Sequence, residues 1–325
     1  GSSNIAIGDN AMLSTTSGGN NIGIGTTLTG NIDGSNNVAV GDDSLTRANS
    51  SWNTAVGRNA YQLGTGGSNT IVGGDAMSEG SGQNNVAVGT NALWYGNGDG
   101  NVAIGANSNY KTTTLTDFAN TTAVGFSSYA GGAGSVALGA SSNAEGENSI
   151  SLGLSSSASE TDTISIGNSS SVSAAYSVAI GGSSTTTGEN SIAIGQSSST
   201  LSNFSTSIGY DSSASGNSSN SLGYYSKASG SHSLSLGSNS EASGSYTTAL
   251  GHTSKAGGLS STSLGVGAVS TGQNSNAIGG YSNASGMNSI SIGYGAQAKG
   301  NYNIAIGSNA CQYVTGTNKT CIGAN

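Results

Sequence analysis

Chemistry needs nucleophiles, acid–base pairs or metal ligands in company, and few residues of this 325-residue chain qualify. His232 and His252 are the only histidines, and neither stands in a serine–aspartate setting that spells a catalytic triad. Glu145 and Glu147 share one short stretch, as do Asp42 and Asp43. Paired turn carboxylates serve acid–base work or bind calcium when further ligands converge on them. Here the calcium-binding pattern Gly-Gly-x-Gly-x-Asp is absent, and the pairs read as solvated. The glycine-rich "GNGDG" at 96–100 lacks the Lys-Ser/Thr ending of a phosphate loop. Cys311 and Cys321 have no histidine at ligand spacing, so zinc is not indicated. Two readings of that pair stand side by side: small apolar side chains, or a disulfide closing the last repeat. No catalytic residue, cofactor or metal is expected.

The composition explains the scarcity. Only 7% of residues are charged, proline is absent, glycine supplies 55 residues, and the formal net charge is −8. Such a polar, glycine-rich chain would ordinarily be disordered. Regularly spaced aliphatic residues overrule that reading. No basic patch is present to track a phosphate backbone, so nucleic acid is not an expected partner. No apolar run approaches the roughly 20 residues that span a bilayer, so no direct membrane insertion is expected of this segment. The chain begins and ends inside its repeat pattern, which reads as a segment of a longer protein whose anchor lies elsewhere.

The repeat is counted from the glycine that closes phrases such as "NSIAIG" at 190–195. That anchor glycine falls at 22 positions, from Gly8 to Gly323. The spacing is 17, then 16 five times, then 20, then 14 for thirteen consecutive steps, and finally 16. The residue before each anchor is Ile, Val or Leu; two before, Ala, Ser or Gly dominates; three before is usually aliphatic or Thr. Each phrase is therefore a short strand of period two. A second strand is expected in the 14-residue zone, where Ser or Ala recurs three after the anchor and Ala five after. A 14-residue period suits one coil of a β-solenoid with two strands and two tight turns. Stacked at one strand spacing, all the coils would make a rod on the order of 100 Å.

Three regions are expected: 16-residue coils over 1–105, a transition coil over 106–125, and 14-residue coils over 126–325 with a final 16-residue coil. In the first zone an apolar residue four after the anchor (Met12, Tyr61, Met77, Leu93) should fill a fatter coil. In the transition, Tyr110 to Asp117 read as a bulged loop, either an adaptor between coil types or a binding loop.

The expected core is aliphatic, with Ile192 and Ile194 filling their coil. The small residues two before the anchor (Ala137, Ala179, Ala193, Ala249, Ala305) would then face outward, as a close-approach subunit interface or as a face open to water. A coil with so thin a core needs another layer, and cyclic symmetry lets identical rods run parallel.

Columns along the stack carry the remaining candidates. Lys227, Glu241 and Lys255 stand four after consecutive anchors and would form an exposed ion-pair ladder. Tyr210, Tyr224 and His252 stand one after theirs, beside Tyr225 and Tyr281. Trp52 and Trp94 form a possible second aromatic patch with Tyr95. Exposed aromatics suit sugar or protein contact, or else cover the turn.

The consensus N-S-I-A-I-G-x-x-S-x-A-S-G-x, as in "NSISLGLSSSASE" at 148–160 and "NSISIGYGAQAKG" at 288–300, closely resembles the head repeat of trimeric autotransporter adhesins of the YadA type. The resemblance implies a left-handed parallel β-roll, a parallel homotrimer, and an extracellular adhesive role at the cell surface. Its partners would be two further copies of itself and a surface protein or glycan receptor. The first third, with "RNAY" at 58–61 and "TNAL" at 90–93, is also similar to repeats of phage and large-virus tail fibres. A virion fibre shaft is thus the alternative. An ice-binding solenoid would need regular Thr pairs, and Thr is too scattered here.

Overall fold

The computed structural model describes all residues except 14, 16, 27–32, 47, 48, 111–118, 315 and 325. The bulged loop expected after Tyr110 lies outside the described residues. The chain divides into two compact units, Gly1–Ser169 and Ser170–Asn325. Each is a parallel β-solenoid, and no helix occurs among the described residues.

In the first unit the strand before each anchor glycine has three residues, from Ile5–Ile7 through Val86–Val88 to Ile164–Ile166. Neighbouring strands pair parallel and in register, as Val86 with Val102, Ala87 with Ala103 and Val88 with Ile104. From Tyr129–Ala130 onward a second, two-residue strand closes each coil, followed by Asn143–Ala144 and Ser157–Ala158. It appears where the period falls to 14, whereas the 16-residue coils run through turns at that place. The second unit repeats the two-strand coil from Ser171–Val172 onward and ends on Thr320–Ile322. Its two columns are again parallel and in register, as Asn220 with Leu234 and Lys227 with Glu241.

The coil interior reverses the expected polarity. Ala137, Ala179, Ala193, Ala249 and Ala305 are fully buried inside the single chain and offer no surface to another. The aliphatic residues on either side point outward, with Ile192 39% exposed and Ile194 half-buried. The reason is room. Two strand columns joined by turns of a few residues leave little room between them, so the interior of the 14-residue coils is mostly Ala and Ser, with Val172, Thr186 and Thr200 the bulkiest of its strand residues. Alternation tells which residues share a face; the span between the columns decides which face is inside.

Several of the buried hydroxyls pair within the coil. Ser151 bonds Ser156 at 2.7 Å, Ser207 bonds Ser212 at 2.7 Å, and Ser235 bonds Ser240 at 2.7 Å. The second serine of each pair also donates to the anchor glycine's carbonyl, as Ser240 does to Gly237 at 2.8 Å. These pairs satisfy their polar groups, whereas other buried hydroxyls, among them those of Ser149, Ser219 and Ser263, have no partner.

The 16-residue coils have room for more. Met12, Leu45, Tyr61, Met77 and Leu93 are buried there in one cluster. An asparagine ladder runs beside them. The backbone N–H of Asn37, Asn53, Asn69, Asn85 and Asn101 each donates to the side-chain Oδ1 of the asparagine one coil earlier, at 2.7–3.0 Å. The side-chain amide of Asn69 donates to the Gly82 carbonyl and to the Tyr61 hydroxyl. At the change of period Thr121 takes the asparagine's place, its N–H donating to Asn101 at 3.0 Å. Asn109 bridges the two coil types, donating to Thr121 Oγ1 and accepting from the Ala130 N–H.

The anchor glycine is required by its neighbour. At Gly223, φ is +139°, and a Cβ there would lie 2.5 Å from the Gly237 carbonyl oxygen of the next coil. Cys311 and Cys321 are disulfide-bonded, with Cα atoms 5.6 Å apart. Cys311 stands four after its anchor, where Met77 stands in its own coil, and Cys321 is in register with Ala305.

Candidate functional site

Because the 14-residue coils take mostly small residues inside, their large and chemically distinctive side chains are left on turns and outer faces. In the second unit the turn after each anchor presents the two residues that follow it. Tyr210 and Tyr224 come first in consecutive turns and stack, with centroids 5.4 Å apart and planes at 20°. Tyr225 comes second in its turn, in the left-handed conformation at φ 54°. It meets Tyr224 edge to face at 4.3 Å and Tyr210 at 5.6 Å. Its phenol is pushed up to about 12, chiefly by hydrogen bonding with Tyr224 and by that ring's charge when ionised.

A groove of about 400 Å³ opens beside Tyr225, lined by Lys227, Asn239, Glu241, Thr253 and Lys255 among others. The expected charge column is present, with Lys227 and Lys255 in register on either side of Glu241. It is paired on one side only: Lys255 Nζ lies 3.6 Å from Glu241 Oε2, and Lys227 has no ion-pair partner among the described residues.

The other candidates are placed less tightly. His252 is exposed and makes no ring contact with the tyrosine cluster among the described residues. Tyr281 meets Tyr294 edge to face at 5.7 Å, and its ring lies where a Cβ on Gly267 would stand. Trp94 contacts Tyr95 and Tyr110 edge to face, at 6.4 and 6.0 Å. Trp52 stands apart from that group, exposed on its own turn. Glu145, Glu147 and Asp42 are exposed, and Asp43 is half-buried. No group of acidic, His or Cys residues suited to a metal ion occurs among the described residues.

Two features were missed by reading the sequence. One is a second aromatic column five before the anchor in the second unit, holding Tyr176, Phe204, His232, Tyr246 and Tyr302, all at positive φ, with Trp52 at the same offset in the first unit. His232 and Tyr246 stack within it at 5.0 Å. The fixed offset was its signal. The other is the aliphatic face. The outer residues of the three-residue strands, such as Leu138 in the first unit and Ile208, Leu236 and Leu264 in the second, are each about two-fifths exposed. Contiguous apolar surface of this kind marks an interaction site.

Comparison with known proteins bears on this arrangement. The family model described as the YadA head domain repeat, two copies long, matches nine stretches between 119–142 and 284–310, the last six of them overlapping, which together take in more than half of the residues. The chain belongs to the YadA head-repeat family. The matched stretches cover the Tyr210–Tyr224–Tyr225 cluster and its groove within 214–240, 228–254 and 242–268, apart from Tyr210 itself. Among solved structures, the collagen-binding domain of the Yersinia adhesin YadA matches at 20% identity, over 57% of this chain and 70% of that one, with a TM-score of 0.24. No curated protein matches the chain. YadA-type head repeats belong to adhesins, and no helix among the described residues is long and apolar enough to cross a membrane.

Proposed function

We propose that this chain is the non-enzymatic, extracellular head segment of a homotrimeric adhesin that attaches to surface protein or glycan. The observation that carries the reading is the division of labour around each coil. Mostly small residues fill the interior of the 14-residue coils, an aliphatic face is left uncovered, and aromatic and charged residues stand on the turns and on the outer side of the second strand column. The aliphatic face supports self-association through identical patches, because parallel copies related by a rotation axis set the same residues at the same height. In this assignment the trimer contact passes from the alanines to the aliphatic residues beside them, among them Leu138, Ile192, Leu236 and Leu264. The turns then face outward in three copies, and weak contacts repeated along them add by avidity.

Two measurements test the reading together. Light scattering at micromolar concentration should give three times the chain mass. The trimer should adhere to at least one surface on an array of matrix proteins, collagens included, and glycans. A monomer would refute the assembly; a trimer that adheres to nothing would refute the adhesive role.

A further inference from the structure

The groove beside Tyr225 has the makings of a specific site, and its chemistry narrows the ligand. Its floor offers no free backbone. The N–H groups of Lys227, Glu241 and Lys255 donate to the carbonyls of Ser240, Ser254 and Ala268 in the next coils. A peptide strand therefore cannot be held there by sheet extension. Recognition falls to side chains: an aromatic ring, two ammonium groups, one carboxylate, an amide and hydroxyls. Flat aromatic faces take up the C–H faces of sugar rings, and amides and hydroxyls match sugar hydroxyls.

Charge sets the class of sugar. Glu241 is committed to Lys255, and Lys227 is left without an ion-pair partner among the described residues. Both ammonium-bearing side chains are exposed. They stand two strand steps apart, roughly 9.6 Å, a separation suited to successive acidic groups on one oligosaccharide. The surrounding field does not oppose an anion. Gly1–Ser169 carries twelve carboxylates against three basic side chains, whereas Ser170–Asn325 carries three carboxylates against four lysines. Most of the chain's acidity is thus confined to the other unit, and Asp211 is the carboxylate to be reckoned with beside Tyr225.

We infer that the groove formed by Tyr225, Lys227, Asn239, Glu241 and Lys255 binds an anionic saccharide, one bearing carboxylate or sulfate groups. This rests on the adhesive reading only in supplying a reason for the site, and is tested separately from it. The intact chain would be titrated calorimetrically with a heparin-derived tetrasaccharide, with sialyllactose, with neutral chitotetraose and with a poly-glutamate peptide. The heparin fragment carries sulfates and carboxylates and sialyllactose a single carboxylate, so binding of sialyllactose would show that a carboxylate alone suffices. Saturable binding of at least one of them is expected, weakening as salt rises. Lys227→Gln with Lys255→Gln should lower that affinity by about tenfold or more. Tyr225→Asn should lower it too, and keeps the fold because Asn239 holds the same place in the next coil at φ 54°. Arg58→Gln, in the other unit, should leave binding unchanged.

Three outcomes would overturn the inference: equal affinity for chitotetraose, unchanged affinity in the double lysine variant, or poly-glutamate binding as tightly as the saccharides. A surface-attachment assay separates the two levels. If the double variant attaches normally and the parent binds no anionic saccharide, the groove assignment falls and the adhesive reading stands. If the parent binds the saccharide but attaches to no surface, the adhesive reading falls and the site stands.

Discussion

Replacing Leu236 by Asp tests which face of the coil meets another copy. Leu236 ends its strand, is 40% exposed, and has Leu222 and Leu250 in register on either side. A leucine exposed to that degree leaves ~70 Å² of apolar surface, and covering it is worth about 1.8 kcal/mol per chain at ~25 cal/mol per Å². Three symmetry-related copies bring the loss to about 5 kcal/mol per trimer, a weakening of roughly three orders of magnitude or more. Three carboxylates converging in a dry contact would add several kcal/mol. The coil itself should survive, because the side chain lies outside it and Ser235, the inward neighbour, is untouched. Sedimentation and light scattering at micromolar concentration should therefore show a folded monomer, with the β-type circular dichroism of the parent. Tyr246→Asn, on an exposed turn, should leave the mass unchanged. A Leu236→Asp protein with the parent's mass would refute the assignment of this face, as would a variant that loses its fold along with its mass.

Four further outcomes follow from the interior. Gly223→Ala should cost at least ~2 kcal/mol in unfolding free energy, because its Cβ would press on the Gly237 carbonyl; an unchanged thermal midpoint would contradict this. Ser263→Ala should raise the unfolding free energy, by about 1 kcal/mol, since its buried hydroxyl lacks a partner opposite Ala268. Ser235→Ala, which breaks the bond to Ser240, should lower it. Burial holds the Tyr61 phenol neutral and raises it from 10 to about 12. The folded state thus keeps a proton the unfolded chain loses. That contribution to stability is whole below pH 10 and declines as pH rises through about 12. Tyr61→Phe should flatten the decline in denaturant midpoints measured between about pH 9 and about pH 11.

The period, the strand positions and the place of the turns were all legible, because Gly223 and its equivalents recur wherever a side chain would strike the next coil. The orientation of the strand was not. Ile192 and Ala193 announce two faces, and hydrophobicity alone sends the isoleucine inward. The deciding quantity is the gap between facing backbones, which no single coil's residues spell out. The cysteines were open for a related reason. Cys311 holds the filling position of one coil and Cys321 the inward position of the next strand, and only an inward orientation for both brings them together. The tyrosine cluster was readable as columns, since Tyr210, Tyr224 and Tyr225 keep fixed offsets from their anchors. His252 keeps the same offset yet touches none of them, because the coil that carries Ser238 stands between. The asparagines were visible as a column, but their role as acceptors for the next coil's N–H needed the ladder itself.

The in-register stacking has a mechanical side. Each coil is held to the next by a row of backbone bonds lying along the direction of stacking. Tension along that direction loads the bonds of one boundary at a time rather than the whole stack together. A coil that opens pays out its fourteen residues, roughly 45–50 Å of slack chain, before the next boundary feels the load. The Cys311–Cys321 bond ties the last full coil to the strand that follows it, so the carboxyl end is the one place where yielding is covalently forbidden. A surface-attached fibre built this way would meet a pull by lengthening coil by coil, as a shock absorber does, instead of letting go.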